Sequence, residues 1–250
     1  MVALAAYRAH ALTASGAAAA FVVGTCVFGA GGWPYAAVLF AFFLPSTLLS
    51  RYGRARKARL VDAGKHGARD AAQVFANGGI AAAAAVAAAV THNPALAAAF
   101  AGAFAAASAD TWGTEIGTLS TERPRSILTW RPVAAGLSGG VTSLGTAAEI
   151  AGAFVVAAVA EYSAGLPLFA IAAGGIFGAL ADSAIGACAQ ALRYCPQCAR
   201  NCETDPHACG TPTQLVRGAR WLDNDAVNAA ATFSGALVAL IASRFFPSTG

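Results

Sequence analysis

The stretch Ser108–Gly117, with the sequence SADTWGTEIG, ends a long Ala-rich apolar run and places two acidic residues, Asp110 and Glu115, at its close. No Asp, Glu, Lys or Arg lies between Asp70 and Asp110. Acidic residues at the end of a membrane-type helix are costly, so they usually have a partner or a function. We therefore take this stretch as the centre of the candidate site.

The composition around this stretch is that of a membrane protein. The chain is 57% hydrophobic and 11% charged, against about 25% charged in soluble domains. This predicts an all-α, polytopic bundle forming a single integral membrane domain over residues 1–250. The net charge of +4 does not indicate nucleic-acid binding, because the basic residues lie in the connections between apolar spans. Met1–His10 has no cleavable signal pattern.

The apolar runs predict about seven transmembrane helices, since a spanning helix needs about 20 apolar residues. The predicted spans are Leu12–Phe28, Trp33–Leu49, Ala71–Val90, Pro94–Asp110, Gly136–Ala160, Leu166–Leu192 and Asp225–Phe246. Lys and Arg are concentrated in the connections after the second, fourth and sixth spans and are missing from the other three. The positive-inside rule then predicts a cytoplasmic N-terminus and three cytoplasmic loops.

Polar residues recur at helical spacing on several spans. Asn77 follows Asp70 and Gln73 on one face of the third span, Asp182 lies in a glycine stripe of the sixth, and Asn224 and Asn228 begin the seventh. These faces should pack inward and converge in a bundle that opens to the cytoplasm. The amides could equally be interhelical hydrogen-bond donors, and the glycines packing residues.

Glu149 differs in depth, because it is expected near the middle of the membrane. It could have a structural partner, or it could mark an ion pathway, since intramembrane acids often do.

Asp110 and Asp182 are each without a Lys or Arg within a helical turn, which suits a divalent cation such as Mg²⁺. Glu115 lies five residues after Asp110, so on a regular helix the two side chains point about 140° apart. Glu115 can therefore join Asp110 at one ion only if the helix breaks, and Gly113 is where it could. Otherwise Glu115 is expected to pair with Arg123 or Arg125 of the following loop.

Phosphate-binding features follow in the predicted cytoplasmic loops. Arg123 and Arg125 precede the turn Ser138–Gly140, which enters the fifth span and could offer backbone N–H groups to a phosphate. Lys65 and Arg69 could also hold phosphates, and Asn224 and Asp225 are candidate ligand contacts at the same predicted membrane face. The basic loop Arg51–Lys65 could also be only a determinant of topology beside anionic lipid.

A Cys/His loop is predicted at residues 193–222, between the sixth and seventh spans. Cys195 and Cys198 are two residues apart, and His207 and Cys209 follow closely. In a reducing cytoplasm this spacing indicates a structural zinc site with those four ligands, leaving Cys202 as a spare. The alternative is a loop of reduced, metal-free cysteines.

Several motifs, in order, resemble the domain-of-unknown-function 92 family, which includes transmembrane protein 19 and phytyl-phosphate kinase. The matching segments are GARDAAQVFANGG, SADTWGTEIG, PRSILTW with SGGVTSLGT, GALADSAIGA and RGARWLDNDAVN. Bacterial members often carry a similar Cys/His loop, so the resemblance and the short loops suggest a bacterial plasma membrane.

The resemblance implies an isoprenyl-phosphate kinase, which transfers a phosphate from a CTP-like nucleoside triphosphate to a lipid monophosphate such as phytyl or geranylgeranyl phosphate. Asp110, Glu115 and Asp182 would hold Mg²⁺, and Asn77 and Asn228 would orient ligands. Three alternatives stay open: a CTP-dependent cytidylyltransferase, a transporter or lipid flippase favoured by Glu149, and a non-catalytic scaffold. The sequence leaves the oligomeric state open.

Overall fold

The computed structural model describes residues 2–52 and 67–247. Its helices are α1 Val2–Arg8, α2 Ala14–Arg51, α3 Ala71–Thr91, α4 Pro94–Gly117, α5 Ser143–Ala164, α6 Leu168–Cys188 and α7 Asn224–Ala242. Short strands lie between them: β1 Arg125–Ser126, β2 Gly140–Val141, β3 Leu192–Cys195, β4 Arg200–Cys202 and β5 Gln214–Arg217. Five helices of the described residues, α2, α3, α5, α6 and α7, are long and apolar enough to cross a membrane.

Helix α2 contains the first two predicted spans as a hairpin. It has 38 residues, about 57 Å of helix, whereas the apolar core of a bilayer is about 30 Å thick. Gly32 interrupts it with a φ of 59° and a ψ of −144°. Beyond this break the chain returns, because the Arg51 guanidinium donates to the carbonyl of Ala9, just before the start of α2. If the two arms of α2 are counted separately, they and α3–α7 correspond to the seven predicted spans within the described residues, while α1, with 7 residues, is too short to cross a membrane.

Helix α4 is the centre of the bundle. Every residue from Ala97 to Ala109 is buried, and the helix contacts α2, α3, α5, α6 and α7. Its Ala and Gly side chains permit this, because small residues let helix backbones approach in a membrane bundle. The acidic C-terminal part of α4 therefore lies among the other helices of the bundle.

The helix ends meet the longer connections at one end of the bundle, which we call the loop face. The loop face carries residues 118–142 and 189–223, together with the N-termini of α3, α5 and α7. Asp70, Thr142 and Asp223 cap these three helices through their side chains. Strands β3, β4 and β5 form an antiparallel sheet in the order β4-β3-β5, and β1 pairs with β2. Arg51 and Arg69, the described basic ends of the first basic connection, line the cavity at the same face as residues of the other two basic connections, as the alternation of basic loops predicts.

The all-α membrane bundle is confirmed, with differences at its edges. The fifth span was predicted to begin at Gly136, but α5 begins at Ser143 because the Gly/Ser-rich segment before it forms a turn and β2. Helices α6 and α7 end at Cys188 and Ala242, about one turn before the predicted ends. Lys65 and most of the basic loop lie outside the described residues.

Candidate functional site

A polar cavity of about 1190 Å³ opens at the loop face, between α3, α4, α5, α6 and α7. Most of the site residues predicted from the sequence line it. They are Asn77, Asp110, Glu115, Asp182, Asn228, Arg69, Arg123, Ser138, Gly139, Gly140 and Asn224. Arg125 and Asp225 do not line it, and Lys65 is outside the described residues. Arg69 and Asn228, 159 positions apart, are thus brought to one site, although the chemical roles of these residues stay predictions.

Asp110 and Asp182 form the innermost acidic pair of this cavity. Their carboxyl groups lie close enough to interact with each other, and both side chains are partly buried. Asp182 Oδ2 has no hydrogen-bond partner among the described residues. Two buried carboxylates repel each other unless a proton or a cation lies between them. The donor set therefore fits a divalent cation bound by oxygen ligands.

Glu149 lies beside this pair and lines the same cavity. It lines the cavity from α5 and interacts electrostatically with Asp182. It packs against Gly113 of α4, where an added Cβ would be 2.6 Å from Glu149 Oε1. The glycine therefore provides the space that the carboxyl group of Glu149 occupies.

Glu115 does not join Asp110 through a helix break. Helix α4 continues without interruption through Gly113 to Gly117, so the two side chains keep the angular separation of a regular helix. Glu115 instead interacts electrostatically with Arg69, at the entrance to α3. The hypothesis of a helix break at Gly113 is wrong, because that glycine serves close packing against Glu149.

Arg69 and Arg123 are the predicted cations that reach the cavity. Arg125 is turned away, since its Nη1 donates to the carbonyl of Trp130 at 2.9 Å. The cavity is therefore lined by basic residues from two connections and by the acidic pair, which together could hold a metal-bound phosphate ligand.

The turn Ser138–Gly140 already holds an anionic group, the carboxylate of Glu203. Glu203 accepts hydrogen bonds from the backbone N–H of Ser138 at 2.7 Å and from its hydroxyl at 2.9 Å. Gln190 donates to the same carboxylate at 2.8 Å. Burial raises the pKa of Glu203, while these hydrogen bonds oppose the shift. The donors of Ser138 that were expected to face a phosphate are thus engaged within the protein.

A second carboxylate occupies the start of α5. The Ser143 N–H donates to Glu122 Oε2 at 3.1 Å, and Thr142 accepts from the Gly145 N–H at 3.0 Å. Sequence reasoning missed both Glu122 and Glu203. Both acids lie in loops that the sequence places at the same membrane face as the Gly/Ser turn. A carboxylate there can accept hydrogen bonds from the same N–H groups as a phosphate, and this could have identified them.

The two asparagines differ in what they can offer. Asn77 donates its side-chain amide to the Gln73 carbonyl at 3.0 Å, which leaves its side-chain oxygen for the cavity. Asp70 and Gln73 form the capping box of α3, so this pair is structural. Asn224 and Asn228 lie one turn apart at the start of α7 and both line the cavity.

An apolar groove of about 450 Å³ lies next to the polar cavity and shares three lining residues with it. The groove lies between the two arms of α2, α1 and α3, and its apolar lining includes Phe21, Val27, Leu39, Phe40, Phe43 and Phe104. Arg69, Gln73 and Asn77 line both the groove and the polar cavity. A single amphiphilic molecule can therefore have an apolar chain in the groove and a charged end in the cavity.

The Cys/His loop forms a cluster with the spacing of a metal site. The ligand atoms of Cys195, Cys198, His207 and Cys209 all lie within 4.8 Å of one another. Cys195 Sγ is 3.7 Å from Cys209 Sγ, and Cys198 Sγ is 3.6 Å from His207 Nδ1. A tetrahedral zinc with Zn–S bonds of about 2.3 Å separates its sulfur ligands by about 3.8 Å.

Two thiols of the cluster have pKa values shifted in opposite directions. Hydrogen bonds from Thr211 and His207 lower the pKa of the Cys209 thiol to about 6, whereas hydrogen bonding with Cys209 raises the pKa of the Cys198 thiol to about 11. Cys209 is therefore the thiol that ionises first. Cys202 is buried outside the cluster, with its Sγ 3.8 Å from the Thr204 carbonyl oxygen. The four residues predicted from spacing are those that could bind a metal such as zinc.

Comparison with known proteins agrees with this architecture. The model of the integral membrane protein family DUF92 matches residues 1–236. Protein PGR of Arabidopsis thaliana is 31% identical over 98% of this chain and 93% of its own length. An uncharacterized membrane protein of Methanocaldococcus jannaschii is 37% identical over 62% of this chain and 65% of its own length. No solved structure matches the chain.

Proposed function

The chain belongs to the DUF92 family of integral membrane proteins, and we propose that it is a kinase for isoprenyl monophosphates. The observation that carries this proposal is the junction of the apolar groove with the acid-lined cavity at Arg69. A prenyl chain fits a narrow apolar groove, and its phosphate would lie at the junction. The partners would be a CTP-like nucleoside triphosphate and a lipid such as phytyl or geranylgeranyl phosphate.

Asp110 and Asp182 would hold the Mg²⁺ that accompanies the triphosphate, with Glu149 and Glu115 beside them. The metal ion would neutralise the charge on the β- and γ-phosphates. Arg69 would hold the lipid phosphate at the end of the groove, and Arg123 the nucleotide phosphates from the loop side. Asn77, Asn224 and Asn228 present amides to the same space and would orient the two ligands.

The reaction needs little covalent chemistry from the protein. An oxygen of the lipid monophosphate attacks the γ-phosphorus, the new P–O bond forms, and the bond to the bridging β–γ oxygen breaks. The products are a lipid diphosphate and a nucleoside diphosphate. The attacking phosphate oxygen is already ionised, so no general base is required. Positioning and charge neutralisation supply the rate enhancement in such transfers.

The proposal also covers the membrane location of the loop face and the role of the Cys/His loop. By the positive-inside rule, the basic connections support a cytoplasmic loop face. We propose that this face lies on the cytoplasmic side of a bacterial plasma membrane, where a soluble nucleotide would reach it. We further propose that the chain forms one integral membrane domain over residues 1–250, with the loop at 193–222 as an insertion between α6 and α7. Zinc in that loop would be structural, because four protein ligands leave no open coordination position.

The test is a product assay with purified protein in detergent or nanodiscs. Wild-type protein with Mg²⁺, each of the four nucleoside triphosphates, and phytyl or geranylgeranyl phosphate should yield the lipid diphosphate, identified by mass. Asp110→Asn and Asp182→Asn should abolish it, whereas Glu161→Gln at the opposite end of α5 should not. Absence of product with every nucleotide, under conditions where an active family member works, would refute the proposal.

Two other functions use the same cavity. A cytidylyltransferase would give pyrophosphate and a CDP-lipid, and the product mass separates it from the kinase. A transporter would use Glu149 as an intramembrane acid, since such acids mark ion pathways, but α5 begins at Ser143 and Glu149 lies in its second turn, nearer the loop face than the predicted mid-membrane position. Glu149 also interacts with the Asp110–Asp182 pair, which favours one shared site. Loss of function in Glu149→Gln with full function in both aspartate variants would favour transport.

A further inference from the structure

Glu203 lies between the two halves of the Cys/His cluster along the chain. Cys195 and Cys198 precede it in the β3–β4 hairpin, and His207 and Cys209 follow it. Glu203 directly follows Cys202, the last residue of β4. A metal bound by the four ligands would therefore fix the chain on both sides of Glu203.

The carboxylate of Glu203 reaches out of this loop into the wall of the polar cavity. It lines the cavity and accepts both donors of Ser138 and the amide of Gln190. Bidentate acceptance from one residue fixes the orientation of the turn as well as its distance. Hydrogen bonds to a charged acceptor are also stronger than neutral ones.

The turn held by Glu203 is pressed against α6, one helical turn after Asp182. A Cβ added at Gly186 would lie 2.9 Å from Ser138 Cβ, and one added at Gly139 would lie 2.5 Å from Ala187 Cβ. The same part of α6 is held by the loop's sheet, because Arg217 of β5 donates to the Gly186 carbonyl at 3.4 Å. The loop therefore contacts both the turn and the helix that carries the acidic pair.

We propose that Glu203 is a positioning residue that couples metal binding in the Cys/His cluster to the Ser138–Gly140 turn of the cavity. With metal bound, Glu203 holds the turn against α6 beside Asp182. Without metal, the flanks of Glu203 loosen, the turn detaches, and the cavity loses its ordered wall. The consequence for catalysis rests on the proposed kinase function, whereas the coupling itself does not depend on the reaction.

The direct test is hydrogen–deuterium exchange of the full-length protein in nanodiscs. The protein is loaded with Zn²⁺ to one per chain, confirmed by elemental analysis, and compared before and after removal with a chelator. Removal should raise exchange across residues 136–141 by about tenfold or more, because a charge-assisted hydrogen bond is lost. Glu203→Ala should show the raised exchange with zinc still bound, and chelation should add little to it.

Matched variants separate this coupling from general loosening. Glu161→Ala, at the opposite end of α5, should leave exchange at residues 136–141 unchanged and fully sensitive to the chelator. Glu203→Gln keeps one acceptor oxygen and should fall between wild type and Glu203→Ala. In the kinase assay, chelation and Glu203→Ala should each lower kcat by about tenfold to 100-fold, as expected for a misplaced wall, and their effects should not multiply.

Three results would overturn the proposal. One is a protein that does not bind Zn²⁺ at one per chain. Another is unchanged exchange at residues 136–141 after the metal is removed. The third is a full additional increase on chelating Glu203→Ala, which would show that metal acts by another route. Because exchange requires no turnover, these outcomes are distinct from failure of the kinase assay.

Discussion

Gly102 of α4 and Gly235 of α7 bring their two helices into direct backbone contact. A Cβ added at Gly235 would lie 3.0 Å from the Gly102 carbonyl oxygen, and one added at Gly102 would lie 2.8 Å from the Gly235 carbonyl oxygen. Gly174 of α6 meets the same point, because its added Cβ would be 2.5 Å from the Gly235 carbonyl oxygen. The junction of α4, α6 and α7 thus depends on glycine for close approach.

Gly235→Ala is predicted to destabilise the bundle by about 1–3 kcal/mol, the usual effect of overpacking a core. The neighbouring atoms are backbone oxygens and the Cβ of Ala106, which cannot rotate away. The measurement is the free energy of unfolding or the thermal midpoint in detergent.

The matched control for this prediction is Gly29→Ala in α2, where an added Cβ meets no atom within 4 Å. It should be neutral, or stabilising by up to about 1 kcal/mol from helix propensity. Equal effects at the two positions would contradict the account of the packing.

The Asp110–Asp182 pair is predicted to act as one unit. Either Asp→Asn substitution should lower kcat by at least about 100-fold, and the double variant should be no more than about threefold worse than the poorer single variant, because groups acting on one ion are not additive. Steady-state kinetics at saturating Mg²⁺ measures this. Losses that multiply would mean that the two carboxyl groups act independently.

The Cys/His loop is predicted to bind one zinc per chain through Cys195, Cys198, His207 and Cys209. Cys202→Ser should keep the metal because Cys202 lies outside the cluster, while Cys198→Ser should lose it. Elemental analysis of both purified variants gives the zinc content. Loss of zinc in Cys202→Ser with retention in Cys198→Ser would reverse the ligand assignment.

Filling the apolar groove is predicted to select against long lipid chains. Gly24 lines the groove, and an added Cβ there meets no atom within 4 Å. Gly24→Phe should raise KM for a 20-carbon prenyl phosphate by about tenfold or more, since each displaced CH₂ costs about 0.8 kcal/mol. KM for a five-carbon prenyl phosphate should not change.

The control for the groove is Val22→Phe, on the exposed side of the same helix arm and outside the groove. It should leave both KM values unchanged. A uniform rise in KM for short and long substrates in Gly24→Phe would indicate general distortion of the site.

The helices and the face on which the polar residues meet could be predicted from the sequence. Apolar runs and basic connections depend only on local composition, and the bilayer fixes their length and direction. The cluster of four ligands could also be predicted, because zinc restricts the spacing of its ligands. The sequence left Cys202 out of the ligand set because the Cys195/Cys198 and His207/Cys209 pairs have ligand spacing and because family members carry the same two pairs. The structure also leaves Cys202 outside the cluster.

Other parts of the site could not be predicted from local pattern. The bidentate contact of Glu203 with Ser138 joins residues 65 positions apart, and the glycine at position 113 gave no sign of whether it breaks α4 or accommodates Glu149. Both depend on which helices pack together, and that is decided by tertiary contacts that a single sequence does not specify. The turn of α2 at Gly32 was predicted only as a short connection.

The measurement that tests the central claim most directly follows the label of the nucleotide into the lipid. Purified protein is incubated with Mg²⁺, geranylgeranyl phosphate and a nucleoside triphosphate labelled at either the γ- or the α-phosphorus. The account predicts γ-label in a lipid diphosphate, no α-label in any lipid, and neither product in Asp110→Asn. Transfer of α-label to the lipid, or undiminished transfer in Asp110→Asn, would contradict it.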